Sequence, residues 1–186
     1  MLLYKKIHID NFNLIQQQIL SFLIDKFGSV EQEILSEIPK DDILSAVPLL
    51  NDFFIKHDLV PNMFAVFVRA PRVRAPIHVD GDSESKIRYL AINLPITNYV
   101  GTYQNYYAIP TSALEFIEDR GNRYRAYTQT PRPEIIDRVE ITEPHLLRID
   151  VPHDVDNEQD TYRVMLSVRF DPQPLSLWPE PMVLWQ

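Results

Sequence analysis

A histidine and an aspartate stand two residues apart in the segment 76–82, which reads PIHVDGD. If this segment is extended, successive side chains point to opposite faces, so His78 and Asp80 lie on the same face. An imidazole and a carboxylate side by side can supply two ligands of a metal ion. The same residues also fit a turn in which Asp80 and Asp82 cap backbone amides. The pair alone leaves both interpretations open.

A second histidine, His153, closes a strand-like run in which Leu147, Ile149 and Val151 share its parity. Because side chains of one parity share one face of a strand, we expect His153 to point into the protein interior. Two imidazoles and one carboxylate on one side of a metal, with the other positions open, form the ligand set of non-haem iron(II) oxygenases. The predicted metal ligands are His78, Asp80 and His153.

The segment 161–170 alternates between two unlike faces. Valine, leucine and phenylalanine occupy one parity, and Arg163, Met165, Ser167 and Arg169 occupy the other. A strand in a filled core does not carry arginine and serine on its second face unless that face meets water or a ligand. An arginine in such a place can hold a carboxylate through two parallel hydrogen bonds. The alternation therefore indicates that this second face meets water or a ligand.

The order His78-x-Asp80, then His153, then Arg163 ten residues later resembles the signature of the iron(II)- and 2-oxoglutarate-dependent oxygenases. The surrounding text, PIHVDG, RYLAINLPI, YQNYY and VPHDVDN followed by YRVMLSVRF, is also similar to that superfamily. It is most similar to its small aspartyl/asparaginyl β-hydroxylase-like and phytanoyl-CoA-hydroxylase-like members. The similarity spans roughly residues 60–170.

This resemblance implies that His78, Asp80 and His153 bind Fe(II) and that Arg163 binds the distal carboxylate of 2-oxoglutarate. The implied reaction hydroxylates a substrate and releases succinate and CO2. Ser167 is the candidate for a second contact to the cosubstrate, although it lies four residues after Arg163 and not two, as in the common Arg-x-Ser pattern.

Two further residues complete the predicted cosubstrate site. Arg88 shares a parity with Leu90, Ile92 and Leu94, and it is either a second carboxylate binder or a strand-end arginine that reaches solvent. Tyr107 donates its hydroxyl to 2-oxoglutarate if its face of the strand is the barrel interior. Otherwise it belongs to a surface ladder of aromatic residues.

The elements that must position these residues are mainly strands. Short segments with turns between them are predicted at 63–69, 77–80, 87–94, 103–109, 113–117, 123–128, 135–141, 145–151 and 162–170, as in a sandwich or barrel. Three helices are predicted before them, one from Asp10 or Asn11 to Gly28, one from Asp41 or Asp42, and one after Pro48.

We therefore expect a mainly β protein with N-terminal helices, built as a double-stranded β-helix with a jelly-roll or cupin-like barrel. The helices should pack on the outer surface of one sheet, which would otherwise be exposed. Residues 1–186 are predicted to form a single domain. It comprises a helical support (1–60), the β-helix core (61–171) and a proline- and tryptophan-rich extension (172–186) that covers the barrel or joins a partner subunit in a homo-oligomer.

The charge and the cysteine and glycine content argue against several classes of partner and cofactor. A formal net charge of −8 and an isoelectric point near 5.1 argue against nucleic acid as a partner, because no excess of Lys and Arg can neutralise phosphates. The absence of cysteine excludes disulfides and thiolate chemistry. With only four glycines, the chain has no glycine-rich nucleotide-binding loop.

The length and order of the apolar stretches bear on location. No stretch approaches the roughly eighteen consecutive apolar residues of a membrane span. Residues 1–6 lack the charged-then-apolar order of a signal peptide. We expect a cytoplasmic protein without a membrane partner.

Three functional hypotheses remain open. The first is a hydroxylase acting on a small molecule or a protein side chain. The second is a cupin-like metalloenzyme that uses zinc or manganese without 2-oxoglutarate. The third is a non-catalytic binding or assembly module of the same fold. The arginine-rich segment 119–125 is either a solvated turn or a rim that recognises an acidic substrate.

Overall fold

The computed structural model describes residues 1–80, 89–119, 122–178 and 185. The helices are α1 (Phe12–Phe27), α2 (Lys40–Ala46) and α3 (Pro48–Lys56), and two 3-10 turns cover Thr111–Ala113 and Leu175–Leu177. The strands are β1 (Tyr4–Lys6), β2 (Ile34–Ile38), β3 (Pro61–Arg69), β4 (His78–Val79), β5 (Leu90–Thr97), β6 (Thr102–Tyr107), β7 (Glu115–Asp119), β8 (Asn122–Ala126), β9 (Ile135–Glu140), β10 (His145–Arg148), β11 (His153–Asn157) and β12 (Arg163–Phe170).

Within these residues the strands form two six-stranded antiparallel sheets. The first sheet has the order β1-β10-β5-β12-β3-β2, and the second has the order β7-β8-β4-β11-β6-β9. Strands β3 to β6 alternate between the two sheets along the chain, and strands β9 to β12 alternate again. This winding makes the predicted double-stranded β-helix, and β7 and β8 form an added hairpin on the second sheet.

The helices cover the outer face of the first sheet, as predicted. Buried residues at four-residue spacing in α1, Ile15, Ile19 and Leu23, form one core cluster with the outward-facing side chains of β3, β5 and β12. Helix α1 ends at Gly28, whose φ of 76° is left-handed and whose N–H donates to the Ile24 carbonyl at 2.7 Å. Helix α3 begins with Pro48, where a missing N–H leaves no bond unmade.

The segment before residue 60 adds two strands that the sequence reasoning missed. Strand β1 pairs with β10 and strand β2 pairs with β3, so each extends one edge of the first sheet. Their burial alternates weakly and both are short, which explains why their periodicity is hard to detect. The N-terminal support is therefore part helix and part strand.

The strand predicted to run on to His153 is interrupted. Strand β10 ends at Arg148 in the first sheet, and His153 begins β11 in the second sheet. Pro152, which has no N–H for a ladder, lies in the crossover between the sheets. Ile149 and Val151 nevertheless pack in the interior cluster between the sheets, as their parity predicted.

Both described tryptophans of the C-terminal extension contact this same chain. Trp178 is buried in the cluster beneath the helices, and Trp185 packs against the interior cluster while its Nε1–H donates to the Ile109 carbonyl at 2.7 Å. Among the described residues, no helix is both long and apolar enough to span a membrane.

Candidate metal centre

The two histidines meet because their strands are direct neighbours in the second sheet. His78 in β4 is the register partner of His153 in β11, and their ring centroids are 4.6 Å apart. Asp80 follows β4, and its backbone N–H donates to the Ile149 carbonyl at 3.0 Å. One donor atom from each of the three side chains lies within 4.8 Å of the others. The structure thus brings together the three predicted ligands.

Backbone carbonyls orient both imidazoles. Nδ1 of His78 lies 2.9 Å from the Pro76 carbonyl, and Nδ1 of His153 lies 2.8 Å from the Val151 carbonyl. Because a carbonyl only accepts, each Nδ1 carries the proton and each Nε2 keeps a lone pair. Such a bond fixes the tautomer that a metal-binding histidine needs.

Burial keeps His153 neutral. Desolvation and the neighbouring His78 lower the pKa of His153 to about 4, so its ring is uncharged at neutral pH. A neutral imidazole is the form that binds a metal. Two such nitrogens and one carboxylate oxygen fit Fe(II) or a similar divalent ion, and they leave open coordination positions.

A polar cavity between the sheets adjoins these three side chains. Its walls include Arg69, Arg163 and Arg169 of the first sheet together with Asn93 and Ser167. Arg163, Ser167 and Arg169 lie on the polar face of β12, and Arg69 belongs to the neighbouring strand β3. The polar face of β12 thus lines a cavity.

Arg163 is a buried cation in the cavity wall. It is only 3% exposed, and its Nε–H has no hydrogen-bond partner among the described residues. Burial and its register partner Arg69 lower the pKa of Arg163 to about 9, which leaves it charged at pH 7. A buried guanidinium with an unmade hydrogen bond is unfavourable unless an anion binds it. The site therefore fits an anionic ligand such as a carboxylate.

Arg169 has a different role. One of its guanidinium nitrogens contacts Asp80 Oδ2, and Nη1 donates to Ser167 Oγ at 2.5 Å. The hydroxyl of Ser167 in turn contacts Asn93 Oδ1. Ser167 lies at the cavity wall, and it joins a chain of side chains that ends on Asp80, a predicted metal ligand. Its predicted contact to the cosubstrate stays a prediction.

The structure does not bring Tyr107 to the cavity. Its hydroxyl donates to Asp154 Oδ2 at 2.5 Å and contacts Arg74, on the other face of the second sheet. The opposite parity of β6 faces inward, where Gln104 lines the cavity and donates to the Tyr106 hydroxyl at 3.0 Å. Both parities of β6 carry polar and aromatic side chains, so the sequence pattern could not choose between them.

Arg88, the other predicted carboxylate binder, lies outside the described residues. The arginine-rich hairpin is described in part. Arg125 donates to the Thr111 carbonyl at 2.8 Å, its guanidinium lies over the Phe116 ring, and it does not line the cavity. Its neighbour Tyr124 contacts the His78 ring at a centroid distance of 5.8 Å.

The predicted site did not include several residues that line the cavity, among them Phe67, Arg69, Asn93, Gln104 and Val155. Arg69 and Phe67 share one parity of β3. Since Arg69 ends an otherwise apolar strand, its odd polarity was the one signal available for it. Asn93 interrupts the apolar run of β5 in the same way.

Comparisons with known proteins bear on the fold. No protein-family model matches the sequence, and no curated protein matches it. Among solved structures, a non-haem α-ketoglutarate-dependent carbocyclase of nogalamycin biosynthesis is similar at 11% identity, with a TM-score of 0.52 over 89% of this chain and 78% of that chain. The chain shares the fold of these oxygenases.

Two other similar structures have the same architecture. The 2-oxoglutarate complex of a collagen prolyl hydroxylase from Paramecium bursaria Chlorella virus 1 matches at 11% identity and a TM-score of 0.50, over 90% of this chain and 95% of that chain. A prolyl 4-hydroxylase from Phytophthora capsici matches at 14% identity and a TM-score of 0.51, over 98% of this chain but 63% of that chain.

Proposed function

We propose that this protein is an Fe(II)- and 2-oxoglutarate-dependent dioxygenase that hydroxylates a substrate and releases succinate and CO2. The observation that carries the proposal is that one cavity holds both a His-Asp-His group and the buried Arg163, whose Nε–H has no hydrogen-bond partner within the part of the chain that the structure describes. A metal site alone would not require a buried cation nearby. A cosubstrate with two carboxylates accounts for both features.

In this proposal His78, Asp80 and His153 hold the metal on one side. Bound Fe(II) would supply the activation of dioxygen and the redox chemistry of the reaction. Arg163 binds the distal carboxylate of 2-oxoglutarate, because its guanidinium can form two parallel hydrogen bonds that fix the orientation of a carboxylate. Its burial strengthens this contact, since charges attract more strongly away from water.

Apolar side chains also line the cavity. Phe67 and Met165 are the apolar side chains of β3 and β12 at the cavity, and Ile149 contributes from the crossover that precedes His153. They would shield part of a bound cosubstrate from water, which protects reactive species.

The proposal is tested by adding Fe(II) and then 2-oxoglutarate to metal-free protein under anaerobic conditions. We expect a visible charge-transfer band from the chelate in the wild type and no band in His78→Ala, Asp80→Ala or His153→Ala. Arg163→Ala should bind Fe(II) normally but weaken 2-oxoglutarate at least about 10-fold, since it loses a charge-assisted pair. Arg138→Ala, on the exposed side of the second sheet, is the matched control and should behave as the wild type.

Two outcomes would contradict the proposal. Metal binding without any effect of 2-oxoglutarate would point to a cupin-like metalloenzyme. Failure to retain any metal, even after anaerobic loading with iron, would favour a binding or assembly module. Unchanged cosubstrate affinity in Arg163→Ala would overturn the role assigned to that arginine.

A further inference from the structure

We propose that Asn93, Ser167 and Arg169 form a hydrogen-bonded chain that positions the Asp80 carboxylate to bind the metal through one oxygen. This inference rests on the metal site of the proposed function. It assigns to these residues a positioning role that is separate from contact with the cosubstrate. We call the three residues the carboxylate relay.

The contacts of the relay have one consistent direction. A guanidinium only donates, so Arg169 donates to both Asp80 Oδ2 and Ser167 Oγ. A hydroxyl can accept one hydrogen bond and donate another, so Ser167 Oγ–H donates a hydrogen bond to Asn93 Oδ1. All three side chains therefore donate and accept as their chemistry allows. Because Nη1 of Arg169 is held by Ser167 and Nη2 by Asp80, the relay fixes the position of the guanidinium and, through it, the orientation of the Asp80 carboxylate.

The relay crosses from one sheet to the other. Asn93 and Ser167 are register partners in β5 and β12 of the first sheet, and Arg169 is two residues further along β12. Ser167 and Arg169 are 1% and 5% exposed, and Asn93 is partly buried. Both histidines come from the second sheet, and Asp80 follows a strand of that sheet. Arg169 thus ties the metal carboxylate to the opposite wall of the cavity.

The contact also limits how Asp80 can bind a metal. Oδ2 is engaged by Arg169, whereas Oδ1 lies 3.8 Å from His78 Nε2, on the side of the histidines. A carboxylate held in this way offers one oxygen to the ion. Binding through one oxygen keeps a further coordination position open, which a two-point cosubstrate and dioxygen both need.

Residues beyond the direct ligands commonly change metal affinity 10- to 100-fold when they are replaced, because they fix the ligand geometry. Ser167 and Asn93 are neutral and touch no predicted metal ligand directly. Their replacement changes the hold on Arg169 without altering the charge at the metal. They are therefore better probes of positioning than Arg169, whose charge also repels the ion.

The test is titration of metal-free protein with Co(II) alone, followed by its visible absorption. We expect Ser167→Ala and Asn93→Ala each to weaken Co(II) binding by about 3- to 10-fold, the equivalent of one hydrogen bond. Arg169→Lys keeps the positive charge but cannot span both partners, and should weaken binding about 10-fold. Ser36→Ala on the edge strand β2 is the control and should leave the affinity unchanged.

The decisive measurement is the double variant. Since Ser167 acts only through Arg169, Ser167→Ala should change the Co(II) affinity less than about 2-fold in the Arg169→Lys background. An equal loss in both backgrounds would overturn the relay, because a general structural defect adds independently. Wild-type affinities of Ser167→Ala and Asn93→Ala would overturn it as well.

These outcomes separate the relay from the proposed function. Co(II) binding with the expected coupling, but without any response to 2-oxoglutarate, would support the relay and contradict the dioxygenase. A normal response to 2-oxoglutarate without the coupling would contradict the relay alone. Circular dichroism and thermal unfolding of each metal-free variant check that it is folded, and Asn93→Ala keeps the test open if Ser167→Ala does not fold.

Discussion

The two faces of strand β12 are equally buried but chemically opposite. Toward the helices it places Val164, Leu166, Val168 and Phe170, and toward the cavity it places Arg163, Met165, Ser167 and Arg169. Every one of these side chains is shielded from solvent. Burial alone therefore does not distinguish a stabilising core from a site that binds a ligand. The polarity of the buried face does, because a protein tolerates buried guanidinium groups only where they are paired or receive an anion.

The outer face should carry most of the stability, and the largest effect is expected there. Phe54 of α3 is 1% exposed and packs against Phe64 and Phe170 at ring-centroid distances of 6.1 and 5.7 Å. Phe54→Ala should lower the free energy of unfolding by about 3–5 kcal/mol, because it leaves a cavity in this layer. Urea denaturation measures the change.

Ile55 provides a control within the same helix. It is 66% exposed, so Ile55→Ala should change the free energy of unfolding by no more than about 0.5 kcal/mol. The folded fraction of Phe54→Ala should still bind Co(II) with wild-type affinity. Loss of metal affinity in that fraction would show that the two faces are not independent.

On the inner face, one substitution should raise the free energy of unfolding and not lower it. Arg163→Met removes a buried charge whose Nε–H has no hydrogen-bond partner in the described ranges, and it introduces an apolar side chain of similar length. We expect the metal-free, ligand-free protein to become more stable by about 1–2 kcal/mol while it loses affinity for 2-oxoglutarate. Denaturation with and without the cosubstrate measures both effects.

Arg169→Met is the matched control on the same strand face. Arg169 is paired with Asp80 and Ser167, so its loss leaves partners without their hydrogen bonds. This variant should lose roughly 1–3 kcal/mol. If both arginine variants shift the stability in the same direction, the contrast drawn between Arg163 and Arg169 is wrong.

The smallest expected effect concerns His145, a buried residue of β10 whose register partner in β5 is Asn93. Burial lowers the pKa of His145 below its ordinary value of 6.5, and its Nε2 has no partner among the described residues. The unfolded chain therefore takes up a proton at this ring at a higher pH than the folded chain does. The stability that the neutral ring confers is fully present above pH 6.5 and is lost as the pH falls below it.

His145→Asn tests this expectation. Asparagine can keep the donor to the Glu143 carbonyl, which lies 2.7 Å from His145 Nδ1, but it does not titrate. Between pH 7.5 and 5.5, the variant should lose less stability than the wild type, by about 1 kcal/mol or less. Parallel unfolding curves at the two pH values provide the comparison, and an identical pH dependence in both proteins would contradict it.

The sequence predicted the site well where side chains alternate with a two-residue period and one face of the strand carries an unusual residue type. The parity of His78 and Asp80, and the polar face of β12, required only that the chain be extended. The outward stripe of β12 and the helical stripes before residue 60 required a layer to cover them. For these features the local pattern and the tertiary arrangement agree, because the spacing of apolar residues in a strand or helix shows which of its faces is buried.

The pattern was uninformative where both faces of a strand carry polar and aromatic side chains, as in β6, or where the chain changes sheets. Tyr107 and Gln104 lie on opposite parities of β6, and each parity meets other protein groups. The chain reads as continuous from Leu146 to His153, yet it crosses between sheets after Arg148. Periodicity within one segment carries no information about which sheet that segment joins.

The sequence by itself therefore determined the residue types of the site, their parity and the mainly β architecture with a helical layer. Only the tertiary structure decided that His78 and His153 are register partners and that Arg169 reaches Asp80 from the opposite sheet. It also decided that Arg163 is buried with no partner for its Nε–H among the residues that the structure describes. The reason is physical. Alternation and capping depend on near neighbours along the chain, whereas distances between strands 75 residues apart depend on how two sheets pack.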